Sequence, residues 1–213
     1  MSRVFMAVKK WFCLGLLALA GAMGFVSLSA AQDDASDPYQ QIEQVTVELL
    51  DTIATHQEGY PENEKAYFDS LEGLLRDRID FAFIARNVMG SYHKQAAPEQ
   101  RERFAATFRS GLVETYGRGL IGYENQEIVL VKAEKVAEGQ RRLTVRQEIR
   151  SADTIYPLEY SMARKKTGQW MVVNVVINGI NLGKTFRNQF VQSAQRAGGD
   201  IEQVINGWSS ESL

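Results

Sequence analysis

The chain has 213 residues, with 24 Lys+Arg, 26 Asp+Glu, two His and one Cys. That length suits one domain with room for a sizeable core. Contents of 45% hydrophobic and 23% charged residues exclude wholesale disorder, and a net charge of −2 excludes a generally basic nucleic-acid binder.

The N-terminus reads as an export signal. Arg3, Lys9 and Lys10 precede the uncharged run Trp11–Leu28, and Ser29-Ala30-Ala31 puts small residues at −3 and −1 of a cut before Gln32. A retained membrane span is the competing reading. Gly15, Gly21 and Gly24 inside the run and the acidic flank Asp33-Asp34 favour removal. Cys13 lacks the small-residue run that lipidation expects. Residues 1–31 are therefore expected to be cleaved, leaving 32–213 as one exported domain. The cut takes three basic groups, no acidic ones and the only cysteine, so the remainder carries 21 basic and 26 acidic side chains, net −5. No disulfide, thiolate metal site or cysteine nucleophile is then available. Residues 32–80 hold 13 acidic and 3 basic groups, while residues 141–196 hold 10 basic and 3 acidic. This asymmetry fits either two solvated faces or a dipole that orients the protein on partners.

Asp37-Pro38 is a helix start, and Ile42, Val45, Leu49 and Ile53 recur at helical spacing to about residue 56. Gly59-Tyr60-Pro61 breaks the pattern. A second helix carries Tyr67, Leu71, Leu74 and Leu75. Asp80 caps a third, with Phe81, Ile84, Val88 and Met89, and Gly90 ends it. Pro98-Glu99-Gln100 opens a long helix whose stripe is Phe104, Phe108, Leu112 and Tyr116. From residue 124 the period becomes 2. The strands are Ile128–Val131, Arg141–Arg150, Thr154–Arg164 and Trp170–Asn178, with turns at Gly139 and Lys165–Gly168. The last strand is nearly all apolar, so both of its faces should be covered. Leu182, Phe186, Phe190 and Ala194 predict another helix, and Ile201, Val204, Ile205 and Trp208 a short final one. The plan is α+β: a four-stranded antiparallel sheet covered by N-terminal and C-terminal helices.

Several motif matches fail in context. Gly117-Arg118-Gly119-Leu120-Ile121-Gly122 fits G-x-G-x-x-G, but it follows a helix and precedes a strand, the reverse of a dinucleotide fingerprint. Ser91-Tyr92-His93-Lys94 and Lys166-Thr167-Gly168 match two penicillin-binding elements, with no Ser-Asp-Asn to complete them. His56 and His93 sit in no metal-binding spacing, and G-x-S-x-G is absent.

The distinctive feature is large apolar side chains on both layers. From the helices come Phe81, Ile84, Val88, Met89, Tyr92, Phe104, Phe108, Leu112 and Tyr116. The strands add Leu143, Val145, Gln147, Ile149, Tyr156, Leu158, Tyr160, Met162, Val173 and Val175. Most of these should simply fill the core. Polar tips at Tyr92, Tyr116, Gln147, Tyr156, Tyr160 and Asn174 each need a partner if buried, which leaves room for a cavity with a wet mouth.

The stretch Asp80-Phe81-Ala82-Phe83-Ile84-Ala85-Arg86-Asn87-Val88-Met89-Gly90-Ser91-Tyr92, then Pro98–Phe104 and Leu112–Tyr116, closely resembles the MlaC family. So do Trp170–Leu182 and Phe186-Arg187-Asn188-Gln189-Phe190. The likeness spans roughly 38–207. His93 stands where the family often has Trp, Ala97 where Thr or Ser commonly caps, and Asn174 where an acidic residue is common. The resemblance implies a periplasmic phospholipid shuttle, also known from toluene tolerance. Acyl chains would lie in an internal apolar cavity between a curved sheet and the helices. Implied partners are phospholipid, an inner-membrane MCE-domain ABC transporter complex and an outer-membrane lipoprotein–porin complex. No cofactor, metal or nucleic acid is implied, and the expected state is a monomer. The residues listed above for both layers are the expected cavity wall, and Arg118, Arg164, Lys165 and Lys166 are candidates for a basic head-group rim. Two alternatives stay open at this point: a lipid hydrolase using the same pocket, and an envelope scaffold with a solid core.

Overall fold

Side-chain caps set the starts of the helices that begin at Pro38, Phe81, Leu182 and Ile201. In the computed structural model, which describes residues 37–124 and 126–208, Asp37 opens α1 (Pro38–Gln57) by accepting from the Tyr39 amide at 2.8 Å. The leader read at 1–31 lies outside the described residues. Next comes α2 (Glu64–Arg76). Asp80 caps α3 (Phe81–Met89), accepting from Phe83 N at 3.1 Å, and Gly90 at φ +57° ends it, leading into a 3-10 turn over Gly90–Lys94. At the start of α4 (Pro98–Leu120), Ala97 has no capping oxygen. Gln100, three residues on, compensates by accepting from the Ala97 amide at 2.9 Å. Asn181 caps α5 (Leu182–Arg196), and Asp200 caps α6 (Ile201–Asn206).

The sheet runs in sequence order, β1 (Glu127–Leu130), β2 (Arg142–Arg150), β3 (Ile155–Arg164), β4 (Trp170–Ile177) and β5 (Ile180–Asn181), every pair antiparallel. Among the described residues it has five strands, not the expected four. Asn178 (φ 48°) and Gly179 (φ +79°) both take left-handed backbone, so the chain folds back in two residues and Ile180 pairs with Ile177. Asn-Gly is the strongest short hairpin signal, and the sequence reading passed over it.

Register places Leu143, Val145, Gln147 and Ile149 opposite Met162, Tyr160, Leu158 and Tyr156, so these residues share one face as expected. A bulge corrects the expectation for β4. Ser161 pairs with Asn174 and Met162 with Val172, leaving Val173 without a partner. The extra residue shifts the alternation, so Val172 and Val175, not Val173 and Val175, share the face of Met162 and Tyr160. Val172 instead bonds the segment before α3: its carbonyl accepts from Asp80 N, and its amide donates to Arg78 O, both at 2.9 Å.

Both faces of β4 are occupied. Tyr39 and Ile42 of α1 pack with Val145, Met162, Trp170 and Val172. Asn174 accepts from Gly183 N at 3.1 Å and so ties the start of α5 to the strand. A Cβ on Gly183 would fall 2.5 Å from that Asn174 oxygen, so a side chain there would push Asn174 out of this bond.

Among the described residues, most of the buried apolar side chains fall into three clusters. One joins α3, α4, α5 and α6. Another joins the start of α1 to the sheet, and the third holds α1, α2 and the end of α4 around Ile53, Tyr67, Leu71 and Val113. The main partners of α4 are α2, α3 and α6, not the sheet. Ile79 touches both the helical and the sheet cluster.

Candidate functional site

The expected wall residues divide into sealed and unsealed sets. Ile84, Val88, Met89, Phe104 and Phe108 are sealed in the helical cluster. Phe104 lies 4.8 Å from Phe190 and 5.3 Å from Trp208, both edge-on, and Phe108 lies 5.5 Å from Phe186. These rings fill a solid aromatic core and face no open volume. Phe81 and Leu158 are buried too, and Val145 and Met162 are sealed beneath Tyr39, Ile42 and Trp170. Tyr156 departs from expectation in the other direction: near the open end of β3 it is 43% exposed.

Gln147 is the one polar residue among the buried described residues, 2% exposed, and it finds the partner its burial demands. Its Nε2 donates to Thr46 Oγ1 at 3.0 Å, while Thr46 donates to Ile42 O at 2.8 Å. Thr46 was not among the expected site residues, although it sits one turn beyond Ile42 on the same helix stripe.

The unsealed set comprises Tyr92, Leu112 and Tyr116 from the helices and Leu143, Ile149, Tyr160, Val173 and Val175 from the sheet, all half-buried. Leu49 and Leu50 of α1, on the cluster around Ile53 and Tyr67, and Leu182 of α5, on the helical cluster, are half-buried as well and were not among the expected site residues. Two of the phenols are informative. Burial raises the Tyr116 hydroxyl above its usual pKa and pushes that of Tyr160 up to about 12. Neither hydroxyl hydrogen-bonds a protein group, and neither oxygen belongs to the sealed, unpartnered polar atoms among the described residues. Both rings pack against buried clusters, Tyr116 on the helical one and Tyr160 on the sheet one, while their hydroxyls stay unsealed. A solid core would have sealed such groups against a partner.

The four cations expected to form one rim are not together. Arg118 pairs with Glu64, the first residue of α2, at 3.2 Å, reaches Glu114 at 3.9 Å and lies over the Phe68 ring. Lys165 pairs with Asp80, beyond the other end of α2, at 3.4 Å. Arg164 donates from Nε to Gly168 O, and Lys166 is exposed in the same β3–β4 turn. The length of α2, roughly 18 Å at 1.5 Å per residue, separates the two groups.

The rejected motifs find structural explanations. Gly117 lies within α4, where a Cβ would meet Leu71 Cδ1 at 2.9 Å and Phe68 Cε1 at 3.0 Å. Its carbonyl accepts from Tyr67 Oη at 3.0 Å. The glycine lets α2 and α4 approach closely and cradles no phosphate. His56 Nε2 lies 3.2 Å from Ser70 Oγ, a spacing that resembles a base beside a nucleophile. The Asn63 amide donates to both His56 O and His56 Nδ1, which leaves the ring proton on Nε2, and Ser70 donates to Ala66 O. His56 therefore donates to Ser70 and does not activate it. Among the described residues there is no cluster of three or more His, Cys, Asp or Glu able to hold a metal, and no helix is long and apolar enough to cross a membrane.

Comparison with known proteins agrees with this architecture. Residues 43–210 match the family described as MlaC protein. The toluene tolerance protein ttg2D of Pseudomonas putida is 34% identical over 198 residues, 92% of this chain and 89% of that protein. The intermembrane phospholipid transport system binding protein MlaC of Haemophilus influenzae is 27% identical over 178 residues, 82% of this chain and 81% of that one. A phospholipid-binding protein from Ralstonia solanacearum, solved in complex with a phospholipid, superposes with a TM-score of 0.66 at 24% identity, over 80% of this chain and 93% of that one, and so shares the fold. With the family match spanning most of the chain and a relative above 30% identity along nearly all of it, the chain belongs to the MlaC family.

Proposed function

We propose that this protein is a periplasmic phospholipid carrier of an intermembrane transport system, binding lipid without transforming it. One relative is named as the binding protein of an intermembrane phospholipid transport system, and a protein of the same fold was solved with a phospholipid. The observation in this chain that supports it is two phenols whose hydroxyls are neither sealed nor bonded to a protein group: Tyr116 on α4, with half-buried Leu112 on the helical cluster, and Tyr160 on β3, with half-buried Leu143 and Val175 on the sheet cluster. In this reading the acyl chains lie between the helical layer and the sheet, against those side chains. Apolar burial alone suffices for tight holding: ten CH₂ groups contribute about 8 kcal/mol. The head group stays at the mouth, so no convergent basic rim is required, in keeping with the separation of Arg118 from Lys165. Delivery partners would be an outer-membrane lipoprotein–porin complex on one side and an inner-membrane MCE-domain ABC transporter on the other. The acidic 32–80 and basic 141–196 segments offer charge of opposite sign for the two dockings.

A transfer assay tests the proposal. Purified protein is mixed with vesicles containing a fluorescent phospholipid, separated from them, and presented to unlabelled acceptor vesicles. The label should leave with the protein and appear intact in the acceptors. Protein that acquires no label refutes carriage, and label recovered as lysolipid or free fatty acid refutes binding without catalysis.

A further inference from the structure

A surface hollow of about 400 Å³ lies where the end of α3, the 3-10 turn and α5 meet, lined by Arg86, Gly90, Ser91, His93, Lys94 and Arg187. Three permanent cations face it. No carboxylate lines it, and none of the ion pairs among the described residues includes Arg86, Lys94 or Arg187. Several arginines elsewhere on the helices and strands have glutamates within reach, as Arg103, Arg109, Arg118 and Arg146 do. The hollow thus concentrates positive charge on a chain whose overall balance is acidic.

The backbone is shaped to permit this. Gly90 takes φ +57°, and a Cβ there would lie 3.3 Å from both Nε and Nη2 of Arg187. Without a side chain at 90, the guanidinium of α5 lies close against the turn. The charge is felt locally. His93 has a lowered pKa, first through burial and then through the fields of Arg101 and Arg86, and no acidic group offsets them. Guanidinium forks, an ammonium, the Ser91 hydroxyl and an imidazole together present a donor set for a tetrahedral oxyanion. At about 400 Å³ the hollow falls in the size range of small-molecule sites and is too small for a helix or strand of another protein.

We infer that this hollow is a second binding site, separate from the acyl-chain site, for a phosphate-type oxyanion. The phosphate of a membrane lipid head group and free inorganic phosphate present the same anion to it. The inference does not depend on the carrier reading.

The test follows the His93 ring by NMR through a pH titration, with and without inorganic phosphate or glycerol phosphate, and measures cosedimentation with phosphatidylglycerol vesicles at low and high salt. Either anion should raise the His93 pKa, because a bound negative charge cancels the field of Arg86 and Arg101. The double variant R86Q/R187Q should weaken binding about tenfold or more. G90A, which displaces Arg187, should weaken it while leaving Arg86 and Lys94 in place. Salt-sensitive cosedimentation that is lost in R86Q/R187Q identifies the lipid head group as the source. A His93 response to soluble phosphate without cosedimentation identifies free phosphate. Phospholipid carried in the acyl-chain site should be unchanged in the double variant, so failure of this inference and failure of the carrier reading are distinguishable. No His93 shift with either probe, or cosedimentation unaffected by R86Q/R187Q, overturns the site. Binding of acidic proteins alone, without phosphate binding, overturns it as well.

Discussion

Gly117→Ala and Gly119→Ala should move stability in opposite directions although they lie two residues apart on α4. An alanine normally stabilises a helix by about 1 kcal/mol relative to glycine. At Gly119 nothing lies within 4 Å of the new Cβ, so most of that gain should appear, reduced by the proximity of the helix end. At Gly117 the Cβ would sit 2.9 Å from Leu71 Cδ1 and 3.0 to 3.2 Å from the Phe68 ring, against an ordinary carbon–carbon contact of about 3.5–4 Å. Leu71 is 1% exposed and cannot swing into solvent. Overpacking of this kind costs about 1–3 kcal/mol. Prising α2 from α4 also stretches the Tyr67 bond to the Gly117 carbonyl, worth about 1 kcal/mol. Gly117→Ala should therefore be about 1–3 kcal/mol less stable than the parent, and Gly119→Ala up to about 1 kcal/mol more stable. Urea unfolding with linear extrapolation resolves that gap, and melting temperatures should separate by about 2–4 °C per kcal/mol. Equal stabilisation by both substitutions would refute the reading of Gly117 as the contact point of α2 and α4.

Thr46→Val leaves the amide of buried Gln147 without its acceptor and should cost about 1–3 kcal/mol, whereas adding Gln147→Leu should recover most of the loss; a double-mutant cycle showing no coupling would contradict this. Tyr67 and Tyr160, both with pKa values pushed from 10 up to about 12, favour the neutral phenol in the folded state. Their contribution to stability is complete below pH 10 and is lost as pH rises from 10 towards 12. Tyr160→Phe should flatten that alkaline fall with little effect at neutral pH, since its hydroxyl has no protein partner, and an unchanged fall would count against the assigned burial. Leu112→Trp should lower bound phospholipid by filling the space beside a half-buried side chain while leaving the unfolding midpoint close to that of the parent. By contrast, a charge at sealed Val145 should unfold the protein outright.

The elements were legible because local chemistry and period agree. Asp37-Pro38 and Asp80 announce two helix starts, and the alternation from Leu143 to Ile149 sets the sheet's inner face. Departures come where tertiary contacts decide. The bulge at Val173 depends on Val172 bonding to Arg78 and Asp80, almost a hundred residues away in the chain, so simple alternation misplaces one step of β4. Apolar periodicity marks Phe104 and Leu112 as one stripe, yet it does not say that Phe104 meets Phe190 and Trp208 while Leu112 stays half-buried. Wall and core are chemically alike and differ only in what lies opposite. The four rim cations stand apart for a related reason: Arg118 is held by Glu64 at the start of α2 and Lys165 by Asp80 at the cap of α3, and the pairing is invisible in spacing. Asn178-Gly179 was readable and predicts β5 by its backbone preference.

The central claim is that this chain holds intact phospholipid between its helical layer and its sheet. Native mass spectrometry of the purified protein tests it most directly. The account predicts a mass excess equal to one or more phospholipids, released intact on activation and reduced in Leu112→Trp. A bare polypeptide mass that persists after incubation with phospholipid vesicles would contradict it.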